Sequence, residues 1–146
     1  VPATDLLEAM VAQLQGDTAV TSMLAQGANS IVGDELAAAG LFPYVVLIEV
    51  SGPTEYQTTD GSSYPYDDHP SFQLTVVGTG KEPVRQIAHA VQHSLLDAAL
   101  SFTTGTLQLL RRSGPAFDSL DPDRGPGGID VFRRVLLFES IVSRTI

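Results

Sequence analysis

The chain contains no cysteine, a single lysine and no long apolar run. Without cysteine there is no disulfide framework, no thiol nucleophile and no thiolate zinc site. Nowhere do about 18 apolar residues run together, as a helical membrane span requires. Val1 to Glu8 lack the basic start and continuous apolar stretch of a signal peptide, so a soluble protein is expected, with nothing that supports secretion; a start at Val1 fits removal of an initiator Met. Cations are few: Lys81 and seven arginines stand against 17 acidic residues, for a net charge of −9. That balance repels a phosphate backbone and excludes a tight nucleic-acid grip, although DNA can still slide past such a surface. The preference for Arg over Lys, with frequent Ala and Gly, reads as a GC-rich coding genome.

What is present fits one globular domain spanning residues 1–146. The length can bury a core without staples, and 43% apolar content argues against global disorder, while 13 Gly and 9 Pro call for substantial loops. Leu6, Leu7, Met10, Val11 and Leu14 recur at helical spacing, with Thr4 as a cap, and Gly16 ends the segment. Asp17 or Thr18 then caps a second short helix reaching Leu24 or Ala25, which completes an N-terminal helical hairpin. Ile31 to Gly33 reads as a short edge strand and Glu35 to Ala39 as a helical turn.

Pro43 to Val50 is rich in β-branched and aromatic residues and is the clearest strand. Ser71 to Val77 alternates, placing Phe72, Leu74 and Val76 on one face. From Pro83 to Leu100, Val84, Ile87, Ala88, Val91, Leu95, Ala98 and Ala99 form one helical stripe. Thr104 to Arg112 and Ile129 to Val142 read as strands, the last apolar on both faces. One face meets the helix; the other needs cover from the N-terminal hairpin or another subunit. The expected fold is therefore α+β, a mainly antiparallel sheet of four or more strands packed on one long amphipathic helix.

Two long loops interrupt this plan, at 51–70 and 113–128. The first, about 20 residues with Tyr56, Tyr64, Tyr66, Asp67 and Asp68, is long for a connection inside a domain and is a candidate for partner contact. Two arginine pairs, Arg111-Arg112 and Arg133-Arg134, fall in or at the ends of strands. Each offers one guanidinium to either face, for surface solubility or for pairing between subunits with acidic loops.

Catalytic patterns are weak. His89 and His93 have the i, i+4 spacing of a zinc pair, but Ala90 stands where a metalloprotease needs Glu. Two exposed histidines are the plain reading, and a structural metal with His69 as third ligand the sharper one. Asp118, Asp121, Asp123 and Gly125 hint at a calcium loop, yet Arg124 and Pro126-Gly127-Gly128 occupy places where further ligands belong, and a solvated turn accounts for them. No nucleophile elbow, phosphate loop or dinucleotide fingerprint is present. Neither a metal nor an organic cofactor is expected, and no enzymatic activity.

The order of parts is more specific than any motif. A helical hairpin, the Pro43-Tyr44-Val45-Val46 strand, a loop, the Phe72-x-Leu74-x-Val76 strand, an Ala/Val-rich helix and two closing strands with Val131-Phe132-Arg133-Arg134-Val135-Leu136 together resemble the tail-completion or tail-terminator proteins of tailed bacteriophages. The resemblance spans nearly the whole chain and departs from commoner members in the lengths of the two loops.

It implies a virion protein, assembled in the host cytoplasm, that forms a homohexameric ring at the head-proximal end of the tail. Such a ring caps the tail-tube protein, ends polymerisation and meets a head-side neck or connector protein. Genomic DNA would pass the acidic lumen without specific binding, and no membrane is involved. Tyr56, Tyr64, Tyr66, Asp67, Asp68, Arg111, Arg112, Arg133 and Arg134 are then interface candidates. The alternatives are another neck adaptor, such as a head-completion or stopper protein, a tail-tube-like subunit, a small metal-dependent hydrolase built on His69, His89 and His93, or a ligand-binding domain lidded by Tyr56 to Tyr66.

Overall fold

Apolar spacing accounts for the first helix. In the computed structural model, which describes residues 3–33, 41–51, 66–121 and 130–144, α1 (Leu6–Gln15) buries Leu6, Ala9, Met10 and Leu14. Its cap is Asp5 and not Thr4. The Asp5 carboxylate accepts the Glu8 N–H at 3.0 Å, while the Glu8 carboxylate accepts the Thr4 N–H at 2.8 Å, so two donors at the helix start are satisfied reciprocally. The second arm of the expected hairpin is shorter than its sequence suggests. Asp17 caps α2 (Thr18–Thr21), a single turn in which only Val20 is buried, and a 3₁₀ turn follows at Gly27–Ser30. With one apolar anchor there is no stripe to extend it. The turn expected at Glu35 to Ala39 lies outside the described residues.

Among the described residues seven strands form one sheet: β1 (Ile31–Gly33), β2 (Tyr44–Ser51), β3 (Tyr66–Asp68), β4 (Ser71–Gly78), β5 (Gly105–Arg112), β6 (Phe117–Asp121) and β7 (Val131–Arg144). The 14-residue β7 organises it. β4 and β3 run along one edge of β7, opposite 132–139 and 142–144, while β5 and β6 share the other edge, opposite 138–144 and 131–135. β2 lies beyond β4 and β1 beyond β2. The sheet is thus mixed and not wholly antiparallel: β1 runs parallel to β2, with Ile31 opposite Val45, which requires a crossover connection in place of a hairpin.

Two strands lie within segments expected to be loops. β3 occupies the end of 51–70, and β6 occupies the middle of 113–128. Turn-forming residues on both sides, Gly114-Pro115 and Pro122, mask the alternation of Phe117 to Asp121. Between β5 and β6, Gly114 takes a φ of +90°, a conformation that side-chain-bearing residues rarely adopt. The Ser113 N–H nevertheless bonds the Leu137 carbonyl at 2.8 Å, which holds the two strands in one lane.

α3 (Lys81–Leu96) starts two residues before Pro83 and stops short of Leu100, with Asp97 at its C-cap. Pro83 sits in the first turn, where a missing N–H costs nothing. Val84, Ile87, Ala88, Val91 and Leu95 are buried as the stripe requires; Ala98 and Ala99 fall beyond the helix. Buried side chains from α1, α2 and α3 share one core cluster with Val45 and Leu47 of β2, Phe72, Leu74 and Val76 of β4, and Leu136, Phe138 and Val142 of β7. The Gln13 side-chain amide donates to the Ser94 hydroxyl at 3.3 Å across α1 and α3. The described helices therefore lie on one face of the sheet.

Candidate functional site

Residues directly opposed on neighbouring strands share a face, so the register defines the surface away from the helices. One row crosses it from Val46 through Thr75 and Val135 to Phe117. The next runs from Ile48 through Gln73 to Leu137, and farther along β7 Ile141 lies opposite Leu109. Ile48, Leu109 and Phe117 are 39%, 38% and 53% exposed, and Val135, Leu137 and Ile141 are half-buried. Both faces of β7 are apolar, as its sequence suggests. The N-terminal helices do not cover the second face, because they pack beside α3 on the first. Among the described residues no helix lies over it.

The four arginines singled out by sequence mostly contact their own chain. Arg111 on β5 pairs with Glu139 on β7. Arg112 donates to the Gln92 side-chain carbonyl of α3 at 2.6 Å and to the Gly114 carbonyl at 3.1 Å, tying the break between β5 and β6 to the helix. Arg134 donates to both carboxylate oxygens of Asp118, at 3.0 and 3.1 Å, and Arg85 of α3 approaches the same carboxylate at 3.8 Å. Arg133 lies on the open face opposite Val77 and Ser119. Tyr66, Asp67 and Asp68 pair as β3 with Arg144, Ser143 and Val142; Tyr56 and Tyr64 lie outside the described residues.

The structure separates the candidate metal ligands. His89 and His93 sit edge to face on α3 with ring centres 6.2 Å apart, and His93 pairs with Asp97. They border a cavity shared with Asp17 and Ser94, whereas His69 borders a different cavity with Leu109, Arg111 and Glu139. Among the described residues no three acidic or histidine side chains are arranged to hold a metal. In the hinted calcium loop, the Asp118 carboxylate is taken by Arg134; Asp123 and Gly125 lie outside the described residues. The open sheet face carries no motif because it consists of ordinary strand residues. Its one sequence signal was the two-sided hydrophobicity of β7.

What this surface offers is contact area with a fixed geometry, the property of a structural subunit. The family model of tail completion protein gp17 matches residues 8–142, and the chain belongs to that family. It is thus a structural protein of a virion tail. In fold it is similar to a chain of the virion of a native gene transfer agent particle, with a TM-score of 0.68 and 19% identity over 94% of each chain. No curated protein matches it in sequence.

Proposed function

We propose that this chain is the subunit of a ring that caps the tail tube, terminates its polymerisation and joins the tail to the head-side neck, with no catalysis of its own. The open apolar face of the sheet carries this reading: a second copy covers it. A cyclic ring uses heterologous contacts, one surface of each subunit fitting a different surface of the next, so an apolar sheet face left uncovered by the described helices is suited to one half of that contact. Four lanes about 4.8 Å apart and about eight residues long present roughly 500 Å². Covered on both sides, that is about 1,000 Å², the lower bound for a specific interface. Rings should therefore depend on concentration or on the tube as a template.

The net charge of −9 suits a lumen through which DNA passes without sticking. Fold likeness to a chain of a gene transfer agent virion is consistent with a place in a phage-like particle. Another neck adaptor or a tail-tube-like subunit would use the same face, but only a terminator limits tube length. The decisive experiment adds the protein to polymerising tube protein and measures tube lengths by electron microscopy. Shortened tubes bearing a ring at one end are expected; unchanged lengths with no end density would refute the reading.

A further inference from the structure

At the start of α3 a cavity of about 220 Å³ opens between the helix and the β6–β7 pair. Val84, Leu120 and Phe132 give it apolar walls, and Lys81 and Arg85 bring two cations against one carboxylate, Asp118. This is a local reversal of charge in a chain of net −9. Lys81 has no ion-pair partner among the described residues, and Arg85 reaches Asp118 only at 3.8 Å, behind the closer Arg134. Leu120 is 50% exposed although it points to the helix side of the sheet. Such a cavity suits an aliphatic side chain accompanied by a carboxylate.

The opposite end of the same helix carries that pair. Leu96, 37% exposed, closes α3, and the exposed Asp97 follows as its C-cap. Asp97 pairs with His93, but both side chains are about two-thirds solvent-exposed, so the pair is screened and readily exchanged. α3 therefore presents a cationic, apolar socket at one end and an aliphatic, anionic plug at the other, about 24 Å apart for 16 residues at 1.5 Å rise.

We infer that Leu96 and Asp97 of one copy seat in the Lys81–Arg85–Leu120 cavity of the next, so that α3 helices follow one another head to tail around the assembly. This contact rests on the ring reading and supplies its register: a socket and plug on opposite ends of one subunit make a heterologous contact that repeats in one direction only. Charge complementarity at its rim selects the orientation, and Leu96 displaces water from the apolar wall.

The absence of cysteine makes the test direct. Leu96→Cys and Leu120→Cys, both at exposed positions, are combined in one chain and oxidised with copper phenanthroline in air under conditions where the wild type sediments as an oligomer. A ladder extending beyond the dimer is expected for the double variant, with no species beyond the dimer for either single variant. In parallel, Lys81→Glu with Arg85→Glu should raise the concentration for half-assembly at least tenfold, and added Asp97→Lys should recover most of that loss. Oligomers without the ladder and indifferent to the charge reversal would overturn this contact and leave the ring reading standing. A wild type that stays monomeric even with tail tubes present would overturn the ring reading and this contact with it.

Discussion

Arg134 clasps Asp118 across the β6–β7 pair, one guanidinium nitrogen donating to both carboxylate oxygens at 3.0 and 3.1 Å. The side chains are 28% and 42% exposed, so solvent screens the attraction. Asp118→Asn should lower stability by under about 1 kcal/mol in urea unfolding. A larger loss would mean that this pair anchors β6, where the turn at Gly114 and the backbone ladder are expected to suffice.

Buried positions should behave differently. Phe138 is fully buried in β7, opposite Phe72 of β4 and in the cluster that receives α3. Phe138→Ala removes a ring that the surrounding core cannot fully replace, and should cost about 3–5 kcal/mol in the same unfolding measurement.

Gly105 opens β5 where the chain passes close to β7. A Cβ there would lie 2.6 Å from the Ser143 carbonyl oxygen and 3.0 Å from a Val142 methyl. Because the nearest atom is backbone, relief requires the strand pair to shift. Gly105→Ala should destabilise by about 1–3 kcal/mol, and hydrogen exchange should show lost protection at the Gly105 end of β5 before the Arg112 end.

The histidines of α3 should not bind metal tightly. With His69 bordering a different cavity, His89 and His93 have no third ligand in place among the described residues. One equivalent of zinc should leave the melting temperature unchanged, and His89→Ala with His93→Ala should make no difference to that result. A zinc-dependent rise abolished by the double variant would revive the metal reading.

The elements that announced themselves in sequence have their own local period. Phe72, Leu74 and Val76 alternate and are all buried; Val84, Ile87, Ala88, Val91 and Leu95 keep helical spacing and face the sheet. β6 was hidden because Phe117 to Asp121 gains its structure from Val131 to Val135, a pairing across the chain, while its immediate neighbours are turn formers. The direction of β1 was equally invisible, since three residues carry no record of which way they run. Side-chain partners were the least legible. Arg112 looked like a surface cation, yet its partners are Gln92, 20 residues away, and the carbonyl of Gly114. The open face was half visible: two apolar sides on β7 implied a missing cover, but only the packing of α1 beside α3 excluded the N-terminal helices.

That open face is best tested by sedimentation and negative-stain imaging of Ile48→Glu with Phe117→Glu beside the wild type, each with and without tail tubes. Both positions are exposed and lie on the uncovered side, so the fold should survive, with a loss of no more than about 1 kcal/mol per site. The expected result is rings with a central hole for the wild type and monomers for the folded variant. Intact rings from the doubly charged variant would contradict the assignment of this face to the subunit contact.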